Sequence, residues 1–447
     1  MSTPLSRRRL LGLAGGAALA LTPLGCGGGG GSGGSQFSQP KGDVPGQYAK
    51  RQRVVVWYPY SGVPADAFNR LVGKFNESQQ DVYLEAQFQG TYDEVSQKLA
   101  AGLQARQIPE LCIFSEVTWH RFHLNQTLEP MTGYFDNDFS PTGYVDSLIN
   151  EGTVRNEVWW VPFGRSTPLF YYNRDMFAKA GLPDRGPKTW DELREWAPAL
   201  RKVSVGGRAP RLHAYPRVDG DWMFQGAVWQ WGGNYSRGME VAIDTGGAVE
   251  AGEWQRRLIH QDKLAYMTES PRVDFTNGLI ATLQDSTGVM TTLTKEAKFA
   301  FGAAFLPEQK AFGCPTGGGG LAMLAGPPKE RKEAAFEFIR FAARPENVAQ
   351  WSVDTGYLPS TKAAQQTPEL QKLFTERPGY KVAVDQLPKT QAQDQVRLLV
   401  PNANKAIYGG LQKIYADNQP AQQVFSAVAE ELRKNAESVK DAVAKYS

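Results

Sequence analysis

The sequence predicts an α/β fold of two lobes with several chain crossings between them. Its 447 residues are enough for two domains that each bury a full core. From residue 54 onward, short β-rich runs alternate with helical runs, which favours parallel sheets with right-handed crossovers. No segment repeats at a period of about 20 to 50 residues, which excludes a solenoid.

The first unit is predicted to follow the order β-α-β-α-β. The apolar, β-branched run at 54–57 is typical of a buried strand, and the next helix, from 64 to about 76, carries its apolar side chains at helical spacing. The later elements are predicted as a strand at 82–88, a helix at 92–107 and a strand at 111–114. Ligands of such sheets bind at loops beyond the carboxyl ends of the strands.

The second unit is predicted to begin near Trp159. Thr189 and Glu192 form a capping-box pattern at the start of a helix that meets Pro198. Strands are predicted at 161–163, 169–172, 288–291, 299–306 and 321–324. Helices are predicted from residue 174 and at 333–343, 368–375 and 421–444.

The first 25 residues are predicted to be an export signal. Arg7, Arg8 and Arg9 precede a short apolar run, and roughly 20 apolar residues would be needed to span a bilayer. The order Ser-Arg-Arg-x-Leu-Leu resembles a twin-arginine signal. A cytosolic amphipathic stretch is the alternative, which the absence of acids and the many small residues disfavour.

The three cysteines are predicted to have different roles. The sequence around Cys26 resembles a bacterial lipoprotein cleavage site, although Pro23 stands where the pattern normally has Leu. Residues 26–50 are rich in glycine and serine and would form a flexible tether of about 25–30 Å. We therefore expect lipidation of Cys26 and an exported protein anchored on the outer face of the cytoplasmic membrane, with a free soluble protein as the alternative. Cys112 and Cys314 are expected to be buried apolar residues, and a disulfide between them stays open.

The folded part is predicted to carry no net charge. The chain has 49 Lys and Arg against 46 Asp and Glu, and the whole excess lies in the three arginines of residues 1–25. Because nucleic-acid-binding surfaces normally need a basic excess or a basic stripe, nucleic acid is not an expected partner.

The sequence contains no known signature of catalysis or of a cofactor. His120 and His123 have no companion acid or cysteine cluster, so no metal site is predicted. The four glycines at 317–320 are not followed by Gly-Lys-Ser/Thr, which excludes a nucleotide P-loop. They would form either a tight connection before a strand or a set of backbone amides open to an anion. Carboxylates such as Asp136 and Asp138 leave a glycosidase open, because tertiary geometry sets its carboxylate pair.

Several short segments carry a specific pattern. They are FN at 75–76, GTYDE at 90–94, PFGRSTP at 162–168, YYN at 171–173, AGL at 180–182, PKTW at 187–190 and TGYLP at 355–359. Over about residues 54–440 the chain thereby resembles the extracytoplasmic solute-binding proteins (family 1) of ABC importers. Within them it is similar to the binders of glycerol-3-phosphate and of glycerophosphodiesters such as glycerophosphocholine.

The resemblance implies a type II periplasmic-binding-protein fold with a ligand cleft and hinge crossings. It implies a signal peptide at 1–25, a tether at 26–50, lobe I at 51–160 plus about 290–345, and lobe II at about 161–289 plus 346–447. It further implies a monomeric, non-enzymatic protein without a cofactor. Its partners would be a small glycerophosphate-type ligand, the transmembrane subunits of a permease, and the membrane through the lipid anchor.

The resemblance also implies eight ligand-binding residues. Tyr92 and Glu116 would contact glycerol hydroxyls, and Trp222 would form an aromatic wall. The residues expected to hold phosphate and glycerol oxygens are Ser166, Ser286, Gly318, Tyr357 and Arg397. Each has a structural alternative. These are a surface carboxylate for Glu116, a surface ion pair for Arg397, a core or helix-start position for Tyr92 and Tyr357, core packing for Trp222, a cap or turn for the serines and a steric need for Gly318.

Two of these residues have a clear chemical rationale. Glu116 follows a predicted strand at its carboxyl end, where its carboxylate could accept from two hydroxyls at once. Arg397 can form two parallel hydrogen bonds to a phosphate. We expect the two side chains on opposite walls of a common cleft.

The predicted charge of the site favours a phosphodiester. One arginine and one glutamate give no net positive charge, whereas a phosphomonoester carries up to about two negative charges and a diester carries one. Trp222 could then hold a choline-like ammonium by cation–π contact, with Asp219 adding charge attraction. The alternatives are an oligosaccharide or polyol binder with no role for Arg397, and a secreted hydrolase with a carboxylate pair or metal cluster in its cleft.

Overall fold

The computed structural model describes residues 37–204, 207 and 209–446. The predicted export signal and Cys26 lie outside these residues. The described residues belong to one unit, Ser35–Ser447. Among them, no helix combines the length and the apolar character that a bilayer crossing requires.

The strands are short and spread along the whole chain. They are β1 (Gln52–Tyr58), β2 (Val82–Phe88), β3 (Leu111–Ser115), β4 (Thr153–Val154), β5 (Glu157–Val158), β6 (Val161–Ser166), β7 (Pro168–Asn173), β8 (His213–Pro216), β9 (Ser236–Arg237), β10 (Glu240–Val241), β11 (Ala265–Thr268), β12 (Thr282–Ser286), β13 (Phe301–Ala304) and β14 (Gly317–Met323).

The α-helices become denser toward the C-terminus. They are α1 (Gly62–Ser78), α2 (Tyr92–Ala105), α3 (Thr118–Leu124), α4 (Asp146–Ile149), α5 (Arg174–Lys179), α6 (Trp190–Leu200), α7 (Gly220–Gln230), α8 (Gly246–His260), α9 (Pro271–Thr276), α10 (Met290–Glu296), α11 (Lys329–Ala342), α12 (Pro345–Thr355), α13 (Pro368–Glu376), α14 (Pro378–Gln386), α15 (Gln395–Leu399), α16 (Ala403–Tyr415), α17 (Ala421–Glu437) and α18 (Lys440–Tyr446).

The first lobe is built on a five-stranded sheet with the order β2-β1-β3-β14-β6. β1 pairs in parallel with β2 and β3, as the alternating pattern predicted, while β14 runs antiparallel to β3 and β6. Apolar side chains cover both faces, with Phe68 and Phe338 in one cluster and Val95, Leu99 and Trp119 in the other. The carboxyl ends of β1 and β3 thus meet at one edge of this sheet.

The second lobe contains the antiparallel sheet β12-β7-β13 and the parallel pair β8–β11. Its largest apolar cluster joins side chains from α6, α7, α8, α16 and α17. β6 and β14 belong to the first sheet and β7 and β13 to the sheet of the second lobe, so the chain crosses between the lobes from β6 to β7 and from β13 to β14. The lobe boundaries given above stay a prediction.

Most predicted elements lie within a few residues of the observed ones, but three expectations are wrong. The segment 288–291 is helical and not a strand, because the Ser286 Oγ accepts a 3.1 Å hydrogen bond from Gly288 N and starts a turn that leads into α10. The predicted helix 421–444 is divided into α17 and α18. The glycine run is no connection before a strand, since it forms the first half of β14. Cys112 and Cys314 are buried and free, which confirms their expected burial and rules out a disulfide between them here.

Candidate functional site

The glycine half of β14 forms the floor of the candidate site. A Cβ atom at Gly317 would overlap the Trp222 ring, and one at Gly319 would lie 2.6 Å from Tyr92 Oη. Gly318 has φ +92°, and a Cβ there would overlap the carbonyl oxygen of Gly164 in β6. The absence of side chains therefore lets two aromatic residues approach the strand from different elements, and Gly318 is sterically required.

Arg397 links the two lobes at this floor. Its Nε donates to Asp221 Oδ2 at 2.8 Å and its Nη1 to Glu116 Oε1 at 3.2 Å, and Gln393 Oε1 accepts a further bond. Glu116 follows β3 directly and its backbone N donates to Gly318 O at 3.1 Å. Arg397 and Glu116 are 4% and 7% exposed, so a surface ion pair is excluded. The two side chains thus lie within contact distance, and their placement on opposite walls of a ligand cleft stays a prediction.

The ionisable groups around Arg397 carry a net negative charge, whereas the sequence predicted a neutral site. Four carboxylates lie near two cations, Arg397 and Lys405. We call these carboxylates the acidic cluster; they belong to Asp93, Glu116, Asp219 and Asp221. Burial raises the pKa of Asp221 against the opposing effect of Arg397. Desolvation and then the charge of Asp93 raise the pKa of Asp219. The charge count made from the sequence was incomplete, because Asp221 and Asp93 were not assigned to the site.

Trp222 and Ser166 flank the start of β14. Trp222, in the first turn of α7, donates from Nε1 to Thr316 O at 2.9 Å. Ser166 ends β6 opposite Gly317 and is buried. The neighbouring Arg165 is fully buried and donates from Nη1 to Gly318 O at 3.0 Å. This hydrogen bond from β6 holds the glycine half of β14 in place.

The residues that follow Ser286 and Tyr357 are attached by backbone hydrogen bonds at the end of β6. Thr287 N donates to Thr167 O at 2.9 Å, and Leu358 N donates to Arg165 O at 2.8 Å. A Cβ at Gly288 would lie 2.7 Å from Tyr357 Cε1, so this ring rests on the turn that begins at Ser286. Burial raises the pKa of Tyr357 to about 12, which keeps its hydroxyl protonated at neutral pH.

Some of the predicted site residues also have the structural role that was given as their alternative. Ser286 caps the turn after β12, and Tyr92 is the first residue of α2, behind the Thr91–Glu94 capping box. The Tyr92 hydroxyl has no hydrogen-bond partner among the described residues, so its structural role leaves this group for a ligand. The roles of all eight residues as ligand contacts stay predictions.

The structure brings the eight residues to one place by three connections. Glu116 contacts Arg397, the β14 glycines join Tyr92, Trp222 and Ser166, and the end of β6 joins Ser166 to the Ser286 and Tyr357 turns. Sequence reasoning missed Asp221 and Gln393, which bind Arg397. Asp221 resembled an ordinary acid of a helix first turn.

The chain matches a known family over most of its length. The sequence pattern of the bacterial extracellular solute-binding proteins matches residues 70–375. The sn-glycerol-3-phosphate-binding periplasmic protein UgpB of Pectobacterium atrosepticum is 26% identical over 398 residues, which cover 84% of this chain and 89% of that protein.

Two solved structures resemble the protein closely. UgpB from Mycobacterium tuberculosis in complex with glycerophosphocholine has a TM-score of 0.81 and 33% identity, covering 86% of this chain and 98% of that one. The cyclic α-maltosyl-1,6-maltose binding protein from Arthrobacter globiformis has a TM-score of 0.74, 23% identity and coverage of 87% and 100%. At that identity the second likeness shows the fold alone.

Proposed function

Since the chain belongs to the bacterial extracellular solute-binding proteins, we propose that it captures a glycerophosphodiester, or sn-glycerol-3-phosphate, for an ABC importer. Its fold is the two-lobed, type II fold of periplasmic binding proteins. Relatives that bind glycerol-3-phosphate and the complex of a relative with glycerophosphocholine support this choice of ligand class.

The observation that carries the proposal is the position of Arg397 between carboxylates of both lobes. An arginine at a lobe junction can bind a phosphate with its planar guanidinium, while Glu116 beside it accepts from glycerol hydroxyls. A ligand that contacts both walls favours the closed arrangement of the lobes by its differential affinity.

The acidic cluster favours a diester with a cationic head group over a phosphomonoester. A monoester brings up to about two negative charges toward this cluster, whereas a choline diester brings one negative and one positive charge. The ammonium would lie near Asp219 with the Trp222 ring beside it, at the same end of the site.

The proposed activity is capture and delivery without chemical change of the ligand. The closed protein would present the ligand to the transmembrane subunits of a permease as a monomer. Lipidation at Cys26, after export by a twin-arginine signal, would keep it at the outer face of the cytoplasmic membrane.

A calorimetric titration tests the ligand class. We expect glycerophosphocholine to bind more tightly than glycerol-3-phosphate, and maltose not to bind. Arg397→Lys keeps the charge but loses the planar pair of donors, so glycerophosphocholine affinity should fall about 10- to 100-fold. Arg237→Lys, at an exposed arginine, is the matched control.

Two results would contradict the proposal. Tight binding of an oligosaccharide that is indifferent to Arg397→Lys would make the protein a sugar binder. Release of free choline or glycerol during incubation, followed by NMR, would reveal hydrolysis and so an enzyme.

A further inference from the structure

We propose that the hydroxyl of Tyr60 is a further ligand contact, which donates a hydrogen bond to an oxygen of the glycerophosphate part of the ligand. This inference rests on the proposed function and adds a residue to the same site. Tyr60 is absent from the eight residues implied by the family resemblance.

Tyr60 lies between two of those residues. Its ring centroid is 6.4 Å from that of Tyr92 and 6.2 Å from that of Tyr357, and it packs on Trp351 at 5.4 Å. A Cβ at Gly164 would lie 2.5 Å from Tyr60 Oη, so the hydroxyl reaches the strand β6 beside Arg165, the residue that holds Gly318. The phenol group thus points to the site floor and not toward solvent.

The hydroxyl has no acceptor of its own. Tyr60 is 4% exposed, and neither its Oη nor that of Tyr92 has a hydrogen-bond partner among the residues described. A buried hydroxyl without a partner destabilises the folded state, so proteins rarely keep one without a reason. The hydroxyls of Tyr60 and Tyr92 lie close together in space, so both could donate to one ligand that carries several oxygen atoms.

Both phenols stay protonated at any physiological pH. Burial raises the pKa of Tyr60 and of Tyr92 well above the ordinary value, and the charge of Glu116 adds to the rise at Tyr92. The pKa of each phenol also responds to the other, through charge and through an approach of the two hydroxyls, but this approach does not reach the geometry of a hydrogen bond. Each is therefore a neutral donor, which suits a phosphate or glycerol oxygen.

The test is Tyr60→Phe, which removes only the hydroxyl. We expect affinity for glycerol-3-phosphate and for glycerophosphocholine to fall by a similar factor of about ten in calorimetry, because both share the glycerophosphate part. The melting temperature of the ligand-free variant should be equal to or above that of the wild type, since no hydrogen bond of the free protein is lost.

Tyr58→Phe is the matched control. Tyr58 lies on β1 two residues earlier, in the same aromatic cluster, and its Oη accepts from Asn69 Nδ2 at 3.3 Å. This substitution should leave both affinities unchanged.

The outcomes separate the inference from the proposed function. If the wild type binds neither glycerophosphate ligand, the proposed function fails, whatever Tyr60 does. If the wild type binds and Tyr60→Phe binds equally well, the inference is overturned and Tyr60 is a packing residue. A loss confined to glycerophosphocholine would also overturn it, since the contact would then be to the head group.

Discussion

At the scale of single residues, Asp219 shows how position alters an ordinary carboxylate. It lies directly before α7 with φ +57° and belongs to the acidic cluster. Because its pKa is raised by desolvation and by Asp93, it takes up a proton at a higher pH than a free aspartate does. Acidification therefore removes its charge at a higher pH than it removes the charge of a free aspartate, and the pKa of Asp221 is raised in the same direction.

We predict that acidification weakens binding of a cationic head group through Asp219. Lowering the pH from about 7 to about 5 should reduce affinity for glycerophosphocholine about fivefold, because protonation removes a negative charge near the ammonium. Glycerophosphoglycerol, whose head group is uncharged, should show a smaller change in calorimetry.

Asp219→Asn is the control for this effect. The variant should bind glycerophosphocholine more weakly at neutral pH and lose most of the difference between the two ligands. An identical pH profile for both ligands in the wild type would place the ammonium elsewhere.

Residues of the site differ in how far the sequence could predict them. Glu116 and Arg397 were implied by the family resemblance, and Glu116 also follows a recognisable strand. Asp221 and Gln393 have no local signal, because their role is to bind Arg397 and only the folded chain brings them there.

At the scale of elements, β14 depends on having no side chains in its first half. Gly318 has a positive φ, and the backbone oxygen of Gly164 occupies the position that a Cβ of residue 318 would take. A strand bulge between Gly318 and Gly320 accompanies this conformation. The first half of β14 can therefore form the floor of the site only if residue 318 is a glycine.

We predict that Gly318→Ala lowers the free energy of unfolding by about 2–4 kcal/mol, from backbone strain and overlap with Gly164. Urea unfolding followed by tryptophan fluorescence measures this. Gly73→Ala is the control, because a Cβ there meets open space inside α1 and should raise stability by up to about 1 kcal/mol. Equal stability of Gly318→Ala and wild type would contradict the strain argument.

Elements were predictable where a single pattern dominates. β2 was predicted with its observed bounds, since its sequence is rich in apolar and aromatic residues. β12 was missed, because Gln284, Asp285 and Ser286 make its second half polar, and its pairing with β7 holds it as a strand. Pairing between distant segments outweighs local preference there.

At the scale of the whole molecule, ion pairs connect the lobes, and two of them lie at the candidate site. The inner one joins Arg397 to Glu116, and the outer one joins Lys405 of α16 to Asp93 of α2 at 3.0 Å. The two-lobed arrangement was implied by the family resemblance, but neither pair could be foreseen, since only the folded chain brings the partners together.

We predict that the outer pair contributes to closure only at low salt. A double-mutant cycle with Asp93→Asn and Lys405→Gln should give a coupling of about 0.2–1 kcal/mol in ligand affinity, because half-exposed pairs are weak. At about 0.5 M salt the coupling should vanish. Asp385→Asn, which breaks the exposed Lys381–Asp385 pair within α14, should leave affinity unchanged. A coupling that persists at high salt would contradict the prediction.

The place of β14 in the first sheet has a consequence for folding. β14 lies between β3 and β6 although it follows β3 by about two hundred residues of chain. The chain must therefore emerge from the ribosome as far as residue 323 before the central sheet of the first lobe can be completed. Most of the second lobe emerges earlier. Such non-local pairing slows folding and leaves strand edges exposed on nascent chains. The first lobe is thus completed late in synthesis, and an N-terminal fragment ending before β14 would lack the strand that closes its sheet.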